Sequence, residues 1–155
     1  MASTTDQRYW DSAACLAYLL NEPERADACE LVLNAAEEGK VEIVISALTI
    51  AEVLALRGKQ PIPSERAETV RRFFRRQFFL TVDVDRFIAE RARELVWGLG
   101  IKPKDAIHVA TALSVSVSYF DTFDSGLLAK SGKVGGEPPL TICKPGFGMQ
   151  QRFRL

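Results

Sequence analysis

Hydrophobic and polar positions follow two periods along this chain. Short β-branched or aromatic runs mark strands, and longer stretches with apolar residues three to four apart mark helices. Tyr9-Trp10 opens a short strand ending at Asp11, and residues 12–20 then carry Ala and Leu on one helical face. Residues 24–38 predict a second helix, closed by Gly39 just past its C-terminus. V-E-I-V-I-S at 41–46 predicts a strand, and 49–57 a helix stopped by Gly58. Pro63 stands near the first turn of a helix expected over 63–79, followed by a strand at 80–84. Helices are expected at 85–99 and 104–113, a strand at 116–120, a short helix at 125–130 and a last strand at 140–143. Such alternation predicts an α/β fold, with a central parallel sheet of four to five strands and helices on both faces. The domain is expected over residues 8–145, with 1–7 and 146–155 as terminal tails.

The chain has 155 residues and 47% hydrophobic content, enough to bury a core without staples. Twenty Lys plus Arg balance twenty Asp plus Glu, so bulk positive charge cannot be what holds a polyanion. A local patch or a metal ion must do that instead. Near-neutrality also favours self-association. Cys15, Cys29 and Cys143 are three and form no C-x-x-C pair, which argues against a disulfide framework and a zinc knuckle. They read as small buried hydrophobes in a reducing compartment. The first residues are polar and no apolar run reaches membrane-spanning length, so a soluble, cytoplasmic domain with no membrane role is expected.

In a parallel α/β sheet the functional crevice lies beyond the carboxyl ends of the strands. Four acids fall at such places. Asp11 and Asp124 follow strands, while Glu52 and Asp105 sit in early helical turns. Each has a simple alternative. Asp11 and Asp124 can cap the next helix. Thr49-Ile-Ala-Glu52 fits a capping box, and Asp105 can meet a helix dipole. Yet Glu52 lies in I-A-E-V-L-A-L and Asp105 in D-A-I-H-V-A-T-A-L, where an acid needs compensation. Two carboxylates about 4 Å apart repel by about 4 kcal/mol at an effective dielectric of about 20. A hard divalent cation reverses that sign, and oxygen-only ligands suit Mg²⁺ or Mn²⁺ rather than zinc.

The stretches Trp10-Asp11-Ser12, Leu48-Thr49-Ile50-Ala51-Glu52, Lys104-Asp105-Ala106-Ile107-His108-Val109-Ala110-Thr111-Ala112 and Thr122-Phe123-Asp124 resemble a PIN domain. More narrowly they resemble the VapC-like toxins of type II toxin–antitoxin pairs. The resemblance implies a Mg²⁺- or Mn²⁺-dependent ribonuclease whose acidic site is Asp11, Glu52, Asp105 and Asp124. Ser12 and Thr122 would support it with hydroxyls. It further implies an RNA substrate, products with a 5′-phosphate and a 3′-hydroxyl, an antitoxin partner covering the site, and a homodimer. Ser125-Gly126-Leu127 departs from the polar and aromatic residues that often follow the fourth acid, and Asp121 has no reading within the pattern.

Arg71, Arg72, Arg75 and Arg76 interleave with Phe73, Phe74, Phe78 and Phe79. The rings read as core or subunit contact and the arginines as a solvated face, with RNA contact the weaker reading. Lys102 and Lys104 suit a phosphate better. His108 reads as a packed or hydrogen-bonded structural residue outside the site. No D-x-D follows the first strand and no glycine-rich phosphate loop occurs, which excludes dehalogenase-type phosphatases and nucleotide-binding loops. The remaining alternative is a catalytically degenerate domain that binds RNA or protein without cutting.

Overall fold

The computed structural model describes residues 5–53 and 61–149. The elements are β1 (Asp6–Trp10), α1 (Ser12–Leu19), α2 (Arg25–Glu37), β2 (Val41–Ser46), α3 (Ala47–Glu52), a 3₁₀ turn (Ser64–Arg66), α4 (Ala67–Phe74), β3 (Phe79–Val82), α5 (Arg86–Leu99), α6 (Pro103–Ser114), β4 (Tyr119–Asp121), α7 (Ser125–Leu128) and β5 (Thr141–Cys143). The strands form one sheet in the order β3-β2-β1-β4-β5, each pair parallel. The expected α/β architecture is present with five strands.

Alternation along the strands divides the core. Trp10, Ile43 and Ile45 face a cluster with Cys15, Leu16, Val32 and Leu33 from α1 and α2. Tyr9, Val44, Phe120 and Ile142 face the other side, against Ile88 and Leu95 of α5 and Val109 of α6. Helices therefore cover both faces, and the strands read as near-continuous apolar runs because both faces are buried. Strand order reverses between β1 and β4, and such a switch point opens a crevice past the strand ends.

Several elements differ from expectation. The helix expected over 63–79 is a 3₁₀ turn and then α4, which ends at Phe74. Phe79 instead pairs with Ile43 as the first residue of β3, and its ring packs 5.0 Å from that of Phe73. Sheet pairing and ring packing override local helix preference there. The strand expected at 116–120 is shorter and shifted, at Tyr119–Asp121: Ser116 turns the chain with φ of 54° as α6 closes, and the strand runs one residue further to Asp121. Outside residues 8–145, β1 begins at Asp6, Met149 packs on the first cluster, and the Phe147 carbonyl accepts from Arg8. The end of the helix expected over 49–57 lies outside the described residues. Among the described residues no helix is long and apolar enough to cross a membrane, and the three cysteines are free and buried.

Candidate functional site

The switch point gathers acids from four connections. Asp11 leaves β1, is 4% exposed and caps α1 by accepting from the Ala14 amide at 3.0 Å. Its second oxygen accepts from the fully buried Thr122 hydroxyl, just past β4, at 2.6 Å. Asp11 is thus a helix cap that also bonds across to the residue following β4. Thr122 Oγ1 also accepts from the Asp124 amide at 3.1 Å, tying the first and fourth acids to one hydroxyl. Asp124 caps α7 by accepting from the Leu127 amide at 2.8 Å.

Glu52 does not belong to a capping box. Ser46, not Thr49, caps α3 by accepting from the Leu48 amide at 3.1 Å, so Thr49 lies inside the helix and Glu52 at its end. Glu52 Oε1 accepts instead from Ser12 Oγ at 2.8 Å and from His108 Nε2 at 2.7 Å. His108, expected outside the site, is hydrogen-bonded as anticipated but sits within it. It follows Asp105 by three residues, one turn along α6, and that spacing was the available signal. Asp105, in the first turn of α6, has no hydrogen-bond partner among the described residues.

The carboxylates feel one another. Burial pushes Asp11 up to about 6, with the Asp105 charge adding to it and the Thr122 and Ala14 bonds opposing. Asp105 is raised by burial first, then by Asp124 and Glu52. Burial acts on Glu52 too, but the His108 and Ser12 hydrogen bonds outweigh it and hold Glu52 below its ordinary value. Asp105 and Asp124 share a cleft of about 330 Å³ with Lys102, Lys130 and Gly126. Lys102 lowers Asp105, and Lys104 lowers Glu52.

Among the described residues, no three His, Cys, Asp or Glu side chains close into a metal-ligating group. A hydrated Mg²⁺ asks for less, one or two carboxylates with waters filling the other positions. Mutually repelling oxygen ligands with uncommitted lone pairs fit that demand. Asp121 is separate. It is fully buried, paired with Arg8 at 2.7 Å and bonded by Trp10 Nε1 at 3.0 Å, so it is a sheet residue. In the arginine and phenylalanine run, Phe73 is buried and Arg76 reaches Glu37 at 3.8 Å and lies over the Phe73 ring, while Arg71, Arg72 and Arg75 are exposed.

Solved structures share this arrangement of elements. VapC20 of Mycobacterium tuberculosis, described as a sarcin–ricin loop cleaving toxin, is 14% identical, with a TM-score of 0.59 over 76% of this chain and 90% of its own. VapBC2 of Rickettsia felis, bound to a DNA fragment from its promoter, is 15% identical, with a TM-score of 0.59 over 88% and 98%. A toxin–antitoxin complex from Klebsiella pneumoniae is 20% identical, with a TM-score of 0.55 over 76% and 87%. No curated protein matches the chain. The PIN domain family model matches residues 8–133, from β1 past α7, and the chain belongs to that family.

Proposed function

We propose that this PIN domain is a divalent-metal-dependent ribonuclease and the toxin of a toxin–antitoxin pair. One observation carries the reading: Asp105 feels the charges of Asp124 and Glu52 and acts in turn on Asp11, beside the sheet's switch point. The solved neighbours support it, being toxins or toxin–antitoxin complexes. Mg²⁺ or Mn²⁺ held by these four acids would lower the pKa of water and neutralise phosphate charge. The chain's own residues hold the acids in place. Thr122 and the Ala14 amide orient Asp11, and Ser12 and His108 orient Glu52. Lys102 and Lys130 line the adjoining cleft and would receive the RNA phosphate.

A cytoplasmic setting suits the free thiols. Phe87 and Trp97, 83% and 73% exposed on α5, offer apolar surface to a second copy. The antitoxin would cover the acidic crevice. The assay is RNA cleavage by wild type with Mg²⁺, Mn²⁺ or EDTA, beside Asp11→Asn and Asp105→Asn. Wild type should cut only with metal, and each variant should lose well over the roughly 10–100-fold typical of losing a group that merely orients a metal ligand. Weak Mn²⁺ binding with intact RNA in every lane supports the degenerate binding module instead.

A further inference from the structure

A run of buried hydrogen bonds behind Glu52 is not required by the roles assigned to the acids. Tyr9 and His108 are 0% and 2% exposed. The Tyr9 hydroxyl lies 2.6 Å from His108 Nδ1, and His108 Nε2 lies 2.7 Å from Glu52 Oε1. The Tyr9 ring stacks on Phe120 with centroids 4.9 Å apart, which fixes where the hydroxyl points. Bond directions follow from donor capacity. An ionised carboxylate only accepts, so Nε2 carries a proton towards Glu52. Burial keeps the Tyr9 phenol protonated, and His108 Nδ1 lies at hydrogen-bond distance to take that proton. An imidazole that accepts at Nδ1 carries its single proton on Nε2.

We infer that Tyr9 fixes His108 in its Nε2–H form, so that His108 and Ser12 together pin Glu52 Oε1 and leave Oε2 free for a divalent cation or its water. No hydrogen bond reaches Oε2 among the described residues. His108 is then a positioning residue acting through Glu52. The role rests on the metal-binding reading above.

The chain has one histidine, so its imidazole nitrogens are unambiguous in a ¹⁵N spectrum. The test uses the full metal-free chain at mildly alkaline pH. Wild type should show a protonated Nε2 and a bare Nδ1, and Tyr9→Phe, which keeps the ring and the Glu52 contact, should show a larger share of the Nδ1–H form than wild type. Mn²⁺ affinity is read separately from the paramagnetic signal of free Mn²⁺. His108→Ala should weaken it by about 10-fold, as loss of a ligand's hydrogen-bond partner does. Tyr9→Phe should weaken it less, and His108→Gln, whose amide can still donate to Glu52, should recover most of it. If His108→Ala fails to fold, the other two variants carry the comparison. A proton on Nδ1 in wild type overturns the inference. So does equal Mn²⁺ affinity in wild type, Tyr9→Phe and His108→Gln with an unchanged tautomer in Tyr9→Phe. Wild type that takes up no Mn²⁺ overturns the metal reading itself, and this role with it.

Discussion

Asp11 spends its two oxygens on different neighbours, one on the Ala14 amide and one on the Thr122 hydroxyl. Capping and site membership looked like rival explanations in the sequence. They coincide because a residue that ends a parallel strand and starts a helix stands at the carboxyl edge of the sheet. Its raised value has a signed consequence. With Asp11 at about 6 in the fold against 3.8 ordinarily, the native state keeps a proton that the unfolded chain has lost. Stability of the metal-free protein therefore falls as pH rises through that window and stays lower above it. Glu52, depressed, contributes stability that is lost only in more acidic solution, so it does not cancel the trend. The melting temperature without metal should drop by a few degrees between about pH 5 and 7.5, on the order of 1 kcal/mol. Asp11→Asn should flatten that slope, and scanning calorimetry across the interval checks both. Asp105 has like charges around it and no hydrogen-bond donor among the described residues, so Asp105→Asn should raise the metal-free melting temperature by about 1–2 °C after solvent screening. A fall would mean that the carboxylate helps the fold.

Elements were easier to read than their ends. The β-branched run at 41–46 is β2 to the residue, and Gly39, at φ of 77°, closes α2 as its position implied. The longest misreading, 63–79, fell where aromatic residues carry both helical spacing and strand propensity, and only contact with β2 decides between them. Glu52 was legible as a site candidate, but its real partners, Ser12 and His108, lie 40 and 56 residues away and leave no local trace. Asp121 was illegible for the same reason. Its partner Arg8 sits on the neighbouring strand, where register places Trp10 beside Asp121. This pair joins β1 to β4, the two strands flanking the crevice. Asp121→Ala leaves a buried guanidinium uncompensated and should cost about 3–5 kcal/mol in urea unfolding. Arg8→Leu combined with Asp121→Leu should recover much of that loss. If the double variant is as unstable as the single one, the ion pair is not the cause.

At the scale of the molecule, charge is balanced overall and uneven locally. Lys102 and Lys130 border the acid-bearing cleft of a chain whose formal net charge is zero. On the proposed function, RNA affinity should therefore depend on few cations. Lys102→Ala with Lys130→Ala should raise KM more than it lowers kcat, and should reduce the slope of log affinity against log salt by about 1–2. Fluorescence anisotropy with a short RNA at several salt concentrations measures the slope, and an unchanged slope removes these lysines from the phosphate path.

The four acids span positions 11 to 124 of 155 and meet only where strand order reverses. No fragment ending before β4 can assemble the crevice, because Thr122, which tethers Asp11 and Asp124, has not yet been added. If the crevice cuts RNA as proposed, that activity requires the chain to extend through β4 and Thr122. A product truncated before β4 should then show no cleavage at all rather than reduced cleavage.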